Sequence, residues 1–164
     1  MKPAELSNAL RECHTKSTRL VKTLDEVAEL FYQSTDSSKL LELLKEYDYV
    51  LGIAAYIGHV KLLQSILLPL SSEQCLDVLL SCTPTPMHVA ASQGRMESAQ
   101  VIMECLTEAK HKRELLEMKD QNGKRPVDLV PGFRVDIEEL LNSIDINGKK
   151  ISNQLLIYLH NMNQ

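Results

Sequence analysis

The chain has 164 residues, of which 44% are hydrophobic and 24% charged, and its formal net charge is −4. This length predicts one domain with a substantial buried core, and the acidic balance argues against a general nucleic-acid binder, which needs a basic face to replace phosphate counterions. Only 4% of the residues are aromatic, so we expect helices with an aliphatic core rather than a sheet.

The first 33 residues predict an N-terminal helical extension. Neither Pro nor Gly interrupts residues 4–33, and Leu24, Val27 and Phe31 continue a helical apolar stripe that starts at Leu20. The pattern fits one long helix or two helices joined near residues 15–18. These first residues also lack the apolar core of a signal peptide.

A break and a second leucine-rich segment follow the extension. Serines interrupt the pattern at residues 34–38, and residues 39–46 then predict a short apolar helix. We interpret this helix as the second helix of a degenerate first repeat. No run in the chain approaches the ~20 apolar residues of a membrane span.

Internal repetition marks the rest of the chain. An Ala-Ala pair at residues 54–55 recurs 36 residues later at 90–91, and each pair is followed by a glycine, Gly58 or Gly94, and by an apolar helix. The sequence Asp-Gln-Asn-Gly-Lys-Arg at residues 120–125 returns as Asp-Ile-Asn-Gly-Lys-Lys at 145–150. Such periods indicate a repeat architecture.

Residues 85–94, Thr-Pro-Met-His-Val-Ala-Ala-Ser-Gln-Gly, resemble the ankyrin-repeat signature Thr-Pro-Leu-His-x-Ala-Ala-x-x-Gly, with Met for Leu. Residues 49–58 keep the second half of that signature. Residues 120–130 look like the turn and opening helix of a later repeat, with Arg125 where Thr is expected. A further helix is predicted at residues 136–143.

The resemblance implies an all-α fold: a short solenoid of about three to four helix-turn-helix units over residues 34–164, preceded by the extension of residues 1–33. Thr85 is expected to cap a helix that starts at Pro86, and Gly94 to take a positive φ. The 36-residue interval exceeds the ankyrin period of about 33, so we expect a long loop around residues 69–82. Residues 151–160 are expected to form a terminal capping helix.

We find no constellation that predicts an enzyme, a metal site or a cofactor. The resemblance implies that His88 hydrogen-bonds neighbouring backbone, and His59 is expected to be an exposed residue at a helix start. His111, like His14 and His160, stands in polar sequence. Cys105 is expected to be a small buried side chain, and His88 is the only base we could propose for the Cys82 thiol, in no recognised arrangement.

The expected function is a non-catalytic protein-protein interaction module without a small-molecule substrate, nucleic-acid or membrane partner. In ankyrin-like proteins the concave face and the hairpin tips bind another protein. Carried over by position, the candidate contacts are Tyr56, Ile57, His59, Ser92, Gln93, Arg95, Gln121, Asn122 and Lys124. Tyr56 and Ile57 form either an exposed anchor or a pair covered by the N-terminal helices.

The cellular location is expected to be the cytoplasm. The four cysteines, Cys13, Cys75, Cys82 and Cys105, show no Cys-x-x-Cys spacing and fit free thiols in a reducing compartment. An alternative function is a bacterial or viral ankyrin-type effector that acts on a host protein, in which case the location is the host cytoplasm.

Overall fold

A computed structural model describes residues 24–143, and it confirms the expected all-α fold, because these residues contain no strand. The described elements are nine α-helices and one 3-10 helix. They are α1 Leu24–Tyr32, α2 Ser37–Glu46, α3 Val50–Ile57, α4 Val60–Leu67, α5 Ser72–Leu80, α6 Pro86–Ser92, α7 Met96–Cys105, α8 Ala109–Glu117, the 3-10 helix Pro126–Leu129 and α9 Val135–Asn142.

The helices stack in three rows. In the first row α3 packs on α6, and α6 packs on the 3-10 helix. In the second row α1, α4, α7 and α9 follow one another, each packed on the next. The third row contains α5 packed on α8. Successive units of the chain therefore lie side by side, and one hydrophobic cluster runs through residues 27–141.

Buried positions recur at the period of the stack. Val27, Leu63 and Ala99 are each 36 residues apart, occupy equivalent places in α1, α4 and α7, and are buried. In the next helix of each unit, Leu44 of α2, Leu79 of α5 and Leu115 of α8 are buried at intervals of 35 and 36 residues. The repeating unit is therefore about 36 residues long and contains three helices.

The expected long loop around residues 69–82 is wrong, because this segment contains α5. Ser71 caps the helix: its hydroxyl accepts a hydrogen bond from the Gln74 N–H, and the Gln74 side chain accepts one from the Ser71 N–H. Cys75 and Leu79 lie one turn apart and are buried. The extra length over an ankyrin period is therefore a third helix that adds its own buried surface.

The first unit also differs from its interpretation. The helix at residues 39–46 exists as α2, but α1, not α2, packs on α4 in the second row. Val27 and Phe31 of α1 belong to the same hydrophobic cluster as the later units. The boundary at residue 33 stays a prediction, since the rest of the extension lies outside the described residues.

The last described unit is shorter than the others. The opening helix expected within residues 120–130 is a four-residue 3-10 helix. It does not extend further because Pro131 disfavours the α conformation at the residue before it. The helix predicted at residues 136–143 is confirmed as α9. Residues 145–150 and the capping helix expected at 151–160 lie outside the described residues.

Burial predicts a sharp difference between two adjacent leucines of the second row. Leu67 is fully buried, whereas Leu68 is 53% exposed. Leu67→Ala should lower the free energy of unfolding by about 2–5 kcal/mol because it leaves a cavity. Leu68→Ala, the matched control, should change it by less than about 0.5 kcal/mol. Urea unfolding followed by circular dichroism measures both, and equal losses would contradict the stack described above.

Candidate protein-interaction surface

A turn at residues 120–124, here named the tip, lies between α8 and the 3-10 helix. The Asp120 carboxylate accepts hydrogen bonds from the N–H groups of Asn122 (2.8 Å) and Lys124 (2.9 Å). The Asp120 N–H donates to the Lys124 carbonyl at 2.8 Å, and Gly123 takes the left-handed φ of 73° that the turn requires. The N–H of Lys124, followed by that of Asn122, lowers the pKa of Asp120.

His88 joins the tip to α6. Its Nε2 lies 2.9 Å from the Lys124 carbonyl oxygen. Its Nδ1 accepts a hydrogen bond from the Thr85 N–H (3.3 Å) and lies 2.8 Å from the Thr85 hydroxyl, which in turn accepts from the His88 N–H. This set of bonds is satisfied by a neutral imidazole that carries its proton on Nε2. The expected cap at Thr85, the start at Pro86 and the backbone contact of His88 are confirmed.

The surroundings of His88 disfavour its charged form. The side chain is 1% exposed, and burial lowers the pKa of the imidazole, while the hydrogen bond to the Lys124 carbonyl opposes this shift. Both ring nitrogens are occupied by Thr85 and Lys124. The Cys82 thiol instead lies 3.9 Å from the Asp48 carbonyl oxygen, so Cys82 and His88 do not form a nucleophile-base pair.

The opposite ends of the first-row helices form a second surface, here named the turn edge. Arg95 Nε donates to the Tyr56 carbonyl at 3.0 Å. In the next pair of units, the Arg134 guanidinium donates to the Gly94 carbonyl. Gly58 and Gly94 have positive φ values of 78° and 67°. A Cβ on Gly58 would lie 3.3 Å from Arg95 Cδ, so each glycine leaves room for the arginine of the next unit.

The structure divides the predicted contact residues between these two surfaces. Gln121, Asn122 and Lys124 lie on the tip, beside the N-terminal end of α6, whereas Ser92, Gln93 and Arg95 follow its C-terminal end. Because α6 has seven residues and rises about 1.5 Å per residue, the two groups are about 10 Å apart. Tyr56, Ile57 and His59 lie on the turn edge with the second group.

Most of the predicted residues on the turn edge have contacts within the fold. Tyr56 packs against the hydrophobic core, and the Ser92 hydroxyl donates to the Val89 carbonyl at 3.0 Å. His59, expected to be exposed, is half-buried, and its Nδ1 caps α4 by accepting the Leu62 N–H at 3.3 Å. Ile57 is 43% exposed. The alternative that N-terminal helices cover Tyr56 and Ile57 stays open, since residues 1–23 lie outside the described part.

The predicted contact residues on the tip differ from those on the turn edge in how their side chains are held. The side chains of Gln121, Asn122 and Lys124 are exposed, and none of them has a hydrogen bond or ion pair within residues 24–143 that holds it. The bonds of this turn involve its backbone, the Asp120 carboxylate and His88. The tip is therefore a fixed backbone that presents three polar side chains to solvent.

His111 contradicts its expected polar surroundings. It is buried in α8, and its Nδ1 lies 2.8 Å from the Ser72 hydroxyl of α5. The Ser72 oxygen also accepts the Glu108 N–H at 3.3 Å. Lysines and an arginine surround His111 in sequence. Because of these charges, the sequence pattern does not reveal the face of α8 that packs on α5. Cys105 is buried, as expected.

Two aromatic features were not identified from the sequence. Tyr47 and Tyr49 pack edge-to-face between α2 and α3, with ring centroids 6.3 Å apart. Phe133, between the 3-10 helix and α9, is 83% exposed, whereas Phe31 is fully buried. A signal was present, because Phe133 is one of only two phenylalanines and stands in a Pro-Gly-Phe-Arg segment typical of a turn.

Residues 24–143 contain neither a cluster of metal-binding side chains nor a membrane-spanning helix. No three His, Cys, Asp or Glu side chains in this range lie close enough to hold a metal ion. None of the helices in this range is long and apolar enough to cross a membrane.

Comparisons with known proteins give no relative. No protein-family model matches the chain, and searches of curated proteins and of solved structures find no significant similarity. The ankyrin resemblance therefore rests on the motifs quoted above and has no support from these comparisons.

Alanine should change the free energy of unfolding in opposite directions at Gly52, which lies within α3, and at Gly58, which follows its last residue. Gly58→Ala should lower the free energy of unfolding by about 1–2 kcal/mol, because alanine disfavours positive φ and its Cβ crowds Arg95. Gly52→Ala should raise it by about 0.5–1 kcal/mol, because Gly52 is helical and has open space at its Cβ. Thermal unfolding of both variants tests the turn edge, and a tolerated Gly58→Ala would refute this account of the turn.

The stability of the protein should fall in acid partly because of His88. Its folded-state pKa is lowered, so the unfolded chain binds the proton more readily, and stability is lost as pH falls from about 6.5 toward the folded pKa. The slope from this one group is at most about 1.4 kcal/mol per pH unit. His88→Gln should flatten the profile between pH 7 and 5 relative to the wild type, with the other histidines unchanged as internal controls. Parallel urea-unfolding profiles for the two proteins would contradict the assignment.

Proposed function

We propose that this protein is a non-catalytic interaction module of the ankyrin-repeat type that binds another protein, with the tip as its principal contact. The observation that carries the proposal is a turn whose backbone is held by Asp120 and His88 while Gln121, Asn122 and Lys124 remain exposed. Side chains on a fixed backbone lose less conformational entropy on association than those on a mobile loop.

Support for an ankyrin-type stack comes from local geometry as well as from motif. The Thr85 cap, Pro86 at the first helical position and Gly94 with positive φ occur together in one hairpin. The hairpins α3–α4 and α6–α7 pack side by side at a 36-residue interval. The third-row helices α5 and α8 depart from the two-helix ankyrin unit, so the proposed protein is a variant with a three-helix unit.

The non-catalytic part of the proposal is supported by how the buried polar groups are used. The imidazoles of His88 and His111 bond Thr85 and Ser72 respectively, and both side chains are buried. A general base has to reach a substrate, and a buried ring that is hydrogen-bonded within the fold is poorly suited to that role. These histidines instead connect neighbouring units.

The turn edge is the second candidate for partner contact. Ile57, Gln93 and Arg95 are its exposed predicted residues, but Arg95 has a contact within the fold, as the less exposed Tyr56, His59 and Ser92 do. Replacing one of these four residues would disturb the stack as well as any interface. Variants that test binding at the turn edge should therefore be limited to Ile57 and Gln93.

The test is quantitative affinity purification from cell lysate with the intact chain. A tip variant, Gln121→Ala with Lys124→Glu, should recover at least about tenfold less of the specific protein partner, which corresponds to about 1.4 kcal/mol of binding free energy. Lys45→Glu on α2 is the matched charge control and should retain the partner. All variants are first checked for unchanged thermal unfolding.

Other outcomes separate the alternatives. Loss of the partner with Ile57→Ala and Gln93→Ala, but not with the tip variant, would move the contact to the turn edge. Absence of any stoichiometric protein partner for the wild type would contradict the proposed function as a whole.

A further inference from the structure

Two buried cysteines lie where neighbouring units of the stack meet. Cys75 is the fourth residue of α5, which follows the hairpin α3–α4, and Cys105 is the last residue of α7 in the next hairpin. Cys75 is fully buried, Cys105 is 5% exposed, and both are free thiols. Both belong to the hydrophobic cluster of the stack although they come from different units.

Backbone and hydroxyl groups bring the two segments together independently of the sulfur atoms. The Glu108 N–H donates to the Ser72 hydroxyl at 3.3 Å. Glu108 lies three residues after Cys105, and Ser72 lies three residues before Cys75. The start of α5 therefore lies against the end of α7. The Cys75 sulfur is 3.1 Å from the carbonyl oxygen of Leu67 at the end of α4, so its side chain is directed toward the second row, which also contains α7.

The two thiols also interact with each other. A hydrogen bond from the Cys105 thiol lowers the pKa of Cys75, although burial opposes this shift. The same hydrogen bond raises the pKa of Cys105, and burial acts in the same direction. Cys75 is therefore the thiol of the pair that reaches the nucleophilic thiolate form first, with Cys105 beside it as a protonated neighbour.

We propose that Cys75 and Cys105 form a reversible disulfide that ties two neighbouring units together, with a small-molecule disulfide such as oxidised glutathione as the oxidant. The Cys75 thiolate attacks one sulfur of the small disulfide, which forms a mixed disulfide and releases one small thiolate. Cys105 then attacks the Cys75 sulfur and releases the second. The two protons of the protein thiols pass to the released thiolates, so the protein loses two electrons and the small disulfide becomes two thiols.

The charge of the pair changes in the order that this sequence of steps needs. Once Cys75 carries a mixed disulfide, it is no longer a thiolate that accepts the hydrogen bond and repels a second negative charge. The two interactions with Cys75 that raise the pKa of Cys105 are then gone, and burial remains. The second thiol therefore becomes easier to deprotonate after the first has reacted.

The disulfide has a defined effect on the stack. It closes a loop of about 30 residues, from α5 through the whole hairpin α6–α7, and such a link restricts the unfolded chain more than the folded one. It also joins α5 to α7, two helices that belong to successive units. The oxidised protein is therefore a stack in which two adjacent units cannot separate.

Mass spectrometry and thermal unfolding of the full chain test the proposal. A variant with Cys13→Ser and Cys82→Ser keeps only the pair, and it is incubated with oxidised glutathione under native conditions. The protein should lose about 2 Da and carry no glutathione, because two hydrogens leave with the new bond. Trypsin should then yield residues 62–95 linked to residues 96–110. The midpoint of thermal unfolding should rise by about 5–15 °C and return after treatment with dithiothreitol.

A third substitution supplies the matched control. Cys105→Ala in the same background keeps Cys75, so oxidation should stop at the mixed disulfide with glutathione, without the rise in the unfolding midpoint. The wild-type chain repeats the test without substitutions, and fragment masses then locate the linked sulfur atoms.

Several results would overturn the proposal. A native pair that stays reduced, or that holds glutathione without closing the bond, would show that the two sulfurs do not react with each other. Bonds between molecules instead of within one would assign the reactivity to a different geometry. An unfolding midpoint that falls on oxidation would exclude a link that fits the stack. None of these outcomes involves partner binding at the tip, so this proposal and the proposed function fail separately.

Discussion

The arrangement of the units depends on a buried histidine. His88 bonds the residue that caps its own helix through Nδ1 and the carbonyl of the following unit through Nε2. The Lys124 carbonyl also accepts the Asp120 N–H, and the imidazole can donate a second bond to it while Nδ1 stays an acceptor only in the neutral tautomer with its proton on Nε2. One side chain thus fixes the start of α6 and the position of the tip, which makes the geometry of an exposed surface the result of a hydrogen bond in the interior.

Three further contacts between units repeat this principle elsewhere in the stack. On the turn edge, Arg95 and Arg134 each donate to a carbonyl of the preceding unit, beside a glycine that has no Cβ to obstruct them. In the third row, Ser72 and His111 join α5 to α8. The first and third rows therefore have polar contacts between units in addition to their apolar packing, and such bonds have directional requirements that packing of leucines alone does not impose.

The sequence was informative where structure is determined locally. The cap at Thr85, the helix start at Pro86 and the positive φ at Gly94 follow from residue chemistry within a few positions, and all three are present. Helix α5 was missed although Ser71 and Gln74 have capping-box spacing, because the length beyond an ankyrin period was assigned to a loop. The burial of His111 depends on α5, whose residue Ser72 lies 39 residues earlier, and no local pattern reports such a partner. Of the nine predicted contact residues, the structure leaves the tip side chains exposed and gives most of the others contacts within the fold.

The division of the predicted contact residues between exposed side chains and side chains held within the fold follows from a general constraint on stacked units. A residue that holds two units together must keep one conformation, whereas a residue that binds a partner must be exposed and able to form new bonds. Arg95 illustrates the conflict, since its Nε is engaged with the Tyr56 carbonyl although the side chain lies at the surface. At the tip the two roles belong to different groups: Asp120, His88 and the backbone hold the turn, and Gln121, Asn122 and Lys124 do not take part. These three side chains are therefore free of a role in the stack, which is what the proposed binding surface requires.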